Sequence, residues 1–194
     1  MHKLETGFYT RVNVVGIARD LIGKVLCSCI DGRLTKVVIT ETEAYAGVDD
    51  RASHAYGGRR TQRTEPMFRD GGIAYVYLCY GIHHLFNVVT SKQDDPKAVL
   101  IRAGSPLAGI DEMFARRGKV SVEKNLLAGP GSLARALGIR THLSGSSLSD
   151  DQVWIEDHGI CVSDDAIAAG PRIGVDYAGD DAARPYRFWM PRQE

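Results

Sequence analysis

Hydrophobic and polar positions change their period several times along the chain, and each change marks an element. "VVGIARDLI", residues 14 to 22, repeats its apolar residues at helical spacing and stops at Gly23, which predicts a short helix. "KVLCSCI" then reads as a strand running into the turn "DGR". A strand from Lys36 to Tyr45 would follow, and its alternation would aim Val37, Ile39, Glu41, Glu43 and Tyr45 the same way. "AGVDDRASHAYGGRRTQRTEP" shows no period and is rich in Gly and Arg, the composition of a long loop of the kind that often carries function. "IAYVYLCYGIHHLFNVVT" predicts two strands hinged near Tyr80-Gly81, and "AVLIRAG" a further strand. Helices are expected at "GIDEMFARR" and "GPGSLARALGI", the second opened by Gly-Pro-Gly-Ser, and strands at "VWIED", "GICVSD", "RIGVDYAG" and "RPYRFWM". Together these make a mixed α/β chain with no repeat and no internal boundary, hence one domain over residues 1–194.

Composition adds limits rather than direction. At 44% hydrophobic and 25% charged residues the chain is an ordinary globular one. No apolar run approaches the roughly 20 residues that span a bilayer, and "MHKLETGFYT" lacks the apolar centre of a secretory signal, so a cytoplasmic protein with no membrane partner is expected. Four cysteines without a CxxC pair suggest reduced thiols and no structural zinc. Net charge is zero, which alone argues against nucleic acid, but its distribution is uneven. Residues 51–140 hold 14 Lys or Arg against 7 Asp or Glu, whereas 150–181 hold 9 acids against Arg172 alone. Either a basic face lies opposite an acidic one, or both are solvated surface whose fields partly cancel.

The two acids of "VVITETEAYAG" are the centre of the candidate chemistry. Burial disfavours a carboxylate's charge, so an acid on an apolar face is either paired or reactive. Glu41 suits a structural pairing with an arginine or with backbone amides, while Glu43 is delivered beside Tyr45 and the polar loop. The ordered series "ETEAYAG", "DRASHAYGGRRTQR", "MF", "YVYLCYGI", "FNVV" and "VLIRAG" closely resembles the alkyladenine DNA glycosylase family, the 3-methyladenine glycosylases that excise alkylated purines. Weaker likeness continues through "AGPGSLARALGI", "RIGVDYAG" and "RPYRFW". The resemblance implies a compact domain with a curved, largely antiparallel sheet flanked by helices and a protruding β-hairpin. It also implies a monomer acting on double-stranded DNA that contains damaged purines, nucleoid-associated if the source is bacterial.

Residue by residue, the resemblance implies these roles. Glu43 would deprotonate a water that attacks the deoxyribose C1′ of the damaged nucleotide. Arg102 would help hold that water and steady the carboxylate, a geometry a plain ion pair would share. A stacked base is out of reach, so the nucleotide must be flipped from the duplex. Tyr45 and Tyr77 would then sandwich it, with His54 at its edge, and flat aromatic faces suit a cationic purine. Tyr75, in the same run, reads as core packing. Tyr80 lies three places beyond Tyr77, hence on the opposite face, where it would enter the duplex as a wedge; Met67 would touch the neighbouring stack. A hairpin tyrosine that merely covers the sheet edge is the competing account. Asn87 would lie under the pocket and crowd the exocyclic amine of guanine, or else satisfy strand backbone. Arg59, Arg60 and Arg63 suit contacts to phosphates, or form a solvated loop.

The reaction type follows from what the motifs hold. None of the seven lysines falls within the matched pocket motifs, so water rather than an amine is the nucleophile and the enzyme would be monofunctional. His83 and His84 would point to opposite sides of a strand and no ligand cluster is visible, which favours hydrolysis without metal or cofactor. Cationic bases such as 3-methyladenine and 7-methylguanine leave readily. Neutral ones such as hypoxanthine or ethenoadenine would need protonation as well, by no residue that can be named. A helix-hairpin-helix glycosylase, suggested by "AGPGSLARAL", lacks its second helix and following Asp. The other rival is a non-enzymatic nucleic-acid binding module, against which Glu43 stands, because an acid facing the pocket repels phosphates.

Overall fold

The structure, a computed structural model, describes residues 2–118 and 125–191. In chain order its elements are β1 (His2–Lys3), α1 (Thr6–Tyr9), α2 (Val14–Asp20), β2 (Val25–Ile30), β3 (Arg33–Tyr45), β4 (Ala74–Cys79), β5 (His83–Thr90), β6 (Lys97–Ala108), α3 (Ile110–Arg117), α4 (Pro130–Ala136), β7 (Val153–Asp157), β8 (Ala168–Gly170) and β9 (Arg187–Trp189), with short 3-10 turns between. The strands form one curled antiparallel sheet in the order β1-β7-β2-β3-β6-β5-β4. Where β2 stops pairing at Val38, β9 takes over the same edge of β3 opposite Glu41–Glu43 and carries β8 with it. One face of the sheet, with Leu26, Ile39, Phe86 and Ile101, packs on Ile17 and Leu21 from α2 and on Leu133 and Leu137 from α4. Each such side chain contributes roughly 1.5–3 kcal/mol by leaving water. The start of α2 is fixed by Asn13, whose side chain accepts a hydrogen bond from the Gly16 N–H at 3.0 Å.

The parity expected along β3 is broken. Val37 and Ile39 enter the main core, but so does Ala44, and Thr42 donates to the Ala18 carbonyl of α2 at 2.7 Å. The register explains it: Ile39 faces Gly104 and Glu41 faces Ala103, leaving Thr40 as an extra residue, and Arg102 is skipped on β6 before Thr42 meets Ile101. A β-bulge of this kind re-aims every side chain beyond it. Glu41, Glu43 and Tyr45 therefore leave the face used by Val37 and Ile39 and point to the other side of the sheet. The acids are not aimed at the main core.

Two expected strands are absent. "GICVSD" is irregular, ending in a 3-10 turn at Asp164–Ala166, and "RIGVDYAG" passes into a longer 3-10 segment at Asp176–Ala183. Their β-branched residues suggest strands, but Ile160 and Ile173 are exposed and only Val175 is buried, so no ladder forms around them. The acidic stretch does not form a field of its own: Lys24 pairs with Asp157 at 2.6 Å, Lys36 with Glu156 at 2.7 Å and Arg19 with Asp164 at 3.1 Å.

Candidate active site

Beyond the bulge, the side of the sheet that carries Glu43 closes over a cavity of about 390 Å³. Tyr45 from β3, Tyr75 and Tyr77 from β4, Asn87 from β5 and Arg102 from β6 line it, together with His54 from the polar loop. Ile173 and Tyr177, from the segment expected to be a strand, form the remaining wall. A second apolar cluster of Ala55, Met67, Phe68 and Val89 lies beneath Tyr75 and fixes the floor.

Glu43 is fully buried, and it does not itself line the cavity; its three partners do. Its Oε2 accepts from the Tyr45 hydroxyl at 2.9 Å, and its Oε1 accepts from the Ile173 N–H at 2.7 Å and lies 3.2 Å from Arg102 Nη1. Arg102 also donates from Nε to Glu41 at 2.9 Å, and Arg187 reaches the same Glu41 oxygen at 3.2 Å. Glu41 is thus the structural ion-pair partner expected of it. Burial, followed by the neighbouring charge of Glu43, pushes the Tyr45 phenol well above its usual range, so it remains a donor to the carboxylate.

His54 packs edge-on against Tyr77 with ring centroids 4.6 Å apart, and its Nδ1 lies 2.8 Å from the Tyr75 hydroxyl. Burial, reinforced by Arg63 and Arg59, lowers its pKa to about 4, so the ring is neutral at physiological pH. Tyr75 was read as packing alone; it is buried, but its hydroxyl orients His54, a role that residue type could not announce. Asn87 donates from Nδ2 to the Tyr75 carbonyl at 3.0 Å, which is the backbone-satisfying account, while its side chain also borders the cavity.

The β4–β5 hairpin turns through Tyr80 and Gly81, both at positive φ (50° and 73°), and the Ile82 N–H bonds the Cys79 carbonyl at 3.1 Å. Turns of this hand match strand twist, and glycine takes the second position without strain. Strand alternation ends at Cys79, so Tyr80 is not sent to the far face; it stands on the rim of the cavity, 92% exposed. Leu78 and Ile82 beside it are exposed as well, so the tip presents apolar side chains to solvent.

The other expected contacts divide. Met67 is buried, with Phe68 in the same apolar cluster, and borders the cavity from inside. Arg60 is committed to Glu65 and Asp94, both at 2.7 Å, and stacks on Phe68, so much of its charge is spent within the loop. Arg63 lies 5.0 Å from the Tyr77 ring, and with Arg59 and Arg51 it borders a cleft of about 280 Å³ that adjoins the cavity through His54 and Tyr177. Among the described residues no three His, Cys, Asp or Glu side chains converge to hold a metal ion, and no helix is long and apolar enough to cross a membrane.

Sequence reasoning missed the 172–181 segment. The buried Arg172 donates to both Asp50 oxygens at 2.5 and 2.8 Å and to the Ala44 and Asp181 carbonyls, and it stacks 4.9 Å from Tyr45. Burial pushes the Asp50 carboxyl up, but the Arg172 bonds and the Ala46 and Ala52 amides more than offset it, leaving the pKa lowered.

A curled antiparallel sheet holding a buried carboxylate behind an aromatic cavity, with an exposed tyrosine on the adjoining hairpin, defines a single-domain α/β protein with an aromatic-walled site beside that carboxylate. The family model described as methylpurine-DNA glycosylase matches residues 7–194, and the chain belongs to that family. It is 48% identical over 182 residues to a Bacillus cereus protein, covering 89% of this chain and 88% of the relative. It is 45% identical over 188 residues to one from Chlamydia felis, covering 96% and 95%, and 47% identical over 186 residues to one from Bacillus mycoides, covering 91% and 90%. All three relatives carry the name "Putative 3-methyladenine DNA glycosylase".

Proposed function

We propose that this chain is a monofunctional DNA glycosylase that flips alkylated purines such as 3-methyladenine and 7-methylguanine out of duplex DNA and hydrolyses their N-glycosidic bond with water. The observation that carries the reading is Glu43, buried and triply held behind a cavity whose walls are aromatic. A carboxylate offers four lone-pair sites; the Ile173 amide takes one on Oε1, where Arg102 Nη1 also stands 3.2 Å away as an ion-pair partner, and the Tyr45 hydroxyl takes one on Oε2. The remaining site, on Oε2, is the one left to take a proton from water. Arg102 sets a positive charge beside the group and Tyr45 keeps it oriented, so the base acts in a preorganised setting.

In this reading the flipped purine lies between Tyr45 and Tyr77, with neutral His54 at its edge and Asn87 beneath it. Two π faces favour a base that already bears positive charge, which is also the base that leaves most easily. No described lysine lines the cavity, which supports water over a Schiff base; Lys119 and Lys124 lie outside the described residues. Arg59 and Arg63, in the cleft beside the cavity, are suited to phosphates of the flipped nucleotide's strand, and Arg60 supports the loop. The bases most easily released define the test. Duplexes each carrying one defined lesion, incubated without metal, should yield free base and an intact strand with an abasic site. No base release from any lesion would overturn the reading, and borohydride-trappable enzyme–DNA adducts would overturn the monofunctional part.

Tyr80 is the proposed wedge. If it fills the space the nucleotide vacates, Tyr80→Ala lowers the flipped population by the worth of a stacking contact, about 1–3 kcal/mol or roughly 5- to 150-fold. Excision should fall by that order for a well-paired lesion and by less for a mispaired one, whose unstacking cost is already reduced. Because the side chain is exposed, thermal stability should hardly change. A lower melting temperature with equal loss on both duplexes would return Tyr80 to a packing role.

A further inference from the structure

The β4–β5 hairpin has a second side. There Ile82, His83 and His84 form one wall of a groove of about 870 Å³ whose opposite walls come from α3, α4 and the turn after β2. His83 and His84 are consecutive on β5, and both residues border this groove. The first turn of α4 closes on the hairpin at Gly131, where a Cβ would stand 3.0 Å from the His83 ring, so glycine is what brings the two walls together. The groove and the cavity share the hairpin as a partition, with Tyr80 on its crest.

The groove is strongly and incompletely compensated. Five arginines and three histidines border it against Asp31 and Glu112. Glu112 is already held by Arg33 at 2.6 Å and by Arg116 at 2.8 Å. Among the described residues, Arg117, Arg135 and Arg140 have no carboxylate within ion-pair distance, and Arg117 Nε and His84 Nδ1 are buried without a hydrogen-bond partner. Burial lowers the pKa of both groups, with Arg135 acting on Arg117, and Arg140 and His142 on His84. Positive groups crowded together without counter-charge are a surface prepared for an anion. These residues also account for part of the basic balance of residues 51–140 that the cavity does not use.

We propose that this groove is a phosphate track for DNA, holding the sugar–phosphate backbone that continues past the hairpin on the side away from the base cavity. The proposal rests on the glycosylase reading for its choice of polyanion and extends it. One strand passes Arg59 and Arg63 at the cavity, the hairpin crest enters the stack, and the backbone beyond it descends onto Arg117, Arg135 and Arg140. Phosphate contacts of this kind fix register without reading sequence, so the track would set how much flanking duplex the enzyme needs.

The test reads binding rather than turnover. Arg140→Ala and the double variant Arg135→Ala/Arg140→Ala are compared with wild type on undamaged duplex over a range of salt. Each lost contact should make the slope of log K against log salt shallower by about one unit. Two lesion duplexes, one truncated close to the lesion on its left and one on its right, then locate the contact. The affinity loss should appear on only one of them, the one that retains duplex on the groove side. An unchanged salt slope in the double variant, or an equal loss on both truncated duplexes, would overturn the track. Arg140→Glu guards against a misfolded double variant, since it alters one exposed side chain and should show the same flank dependence. A failure of the glycosylase reading shows up separately, as wild-type protein that binds DNA but releases no base.

Discussion

Glu43→Gln is expected to lower single-turnover base excision by at least ~10², the usual scale for loss of a general base, while lesion-DNA binding stays within about tenfold of wild type. The substitution is nearly isosteric, and the site can accept it. The amide oxygen can keep the Ile173 N–H, which donates at 2.7 Å in the native protein, and stay beside Arg102 Nη1 at 3.2 Å, and the amide nitrogen then faces the Tyr45 hydroxyl. That hydroxyl can rotate from donor to acceptor, so no buried partner is stranded. What disappears is the free lone pair on Oε2. Glu43→Ala is the less informative variant, because it leaves the Ile173 amide and the Tyr45 hydroxyl without their acceptor and confuses chemistry with packing. Excision by Glu43→Gln near the wild-type rate would remove Glu43 from the reaction.

The elements that position this site were legible to different depths in the sequence. The hairpin was plain, since "YVYLCYGIHHLFNVV" sets β-prone residues on both sides of a Tyr-Gly pair, and local signals of that kind depend on few other residues. The destination of Glu43 was legible only in part. Alternation put Glu41, Glu43 and Tyr45 together, which holds, but also with Val37 and Ile39, which does not. The bulge at Thr40 is set by the pairing of β3 with β6, some sixty residues away in sequence, and nothing local announces it. The surroundings of Met67 and Arg60 were hidden for a related reason. Each was assigned by motif position, whereas burial under the cavity and capture by Glu65 and Asp94 are decided by tertiary neighbours. The 172–181 segment was the largest omission. Its apolar residues suggested a strand, yet its work lies in one backbone amide and one arginine.

That arginine carries the second large effect. Arg172 and Asp50 are an ion pair with no exposed side-chain surface, and Asp50→Asn would leave the guanidinium buried with its charge unmatched. Breaking one side of such a pair costs about 3–5 kcal/mol, a large share of a domain's net stability, and for a chain of this size corresponds to a fall in melting temperature of roughly 6–20 °C. The effect has a definite pH dependence. The Asp50 pKa is lowered on folding from the ordinary 3.8, so the stabilisation is fully present above that value and disappears as the pH falls through the lower folded pKa. Wild type and Asp50→Asn should therefore differ most near neutrality and converge in acid. Catalysis provides the readout that stability alone would not move. Arg172 joins the end of β3 at Ala44 to the loop at Asp50, its guanidinium stacks on Tyr45, and the next residue supplies the amide that holds Glu43. Replacing both partners by apolar residues of similar volume, Asp50→Leu with Arg172→Met, should restore part of the melting temperature, because no buried charge remains, while the Ala46 and Ala52 amides left without an acceptor keep it below wild type. It should not restore excision, because Tyr45 and the Ile173 amide have lost the bonds that register them against the carboxylate. A double variant that melts like wild type and also excises like wild type would show the pair to be structural only, and an Asp50→Asn protein with an unchanged melting curve would refute the energetic argument itself.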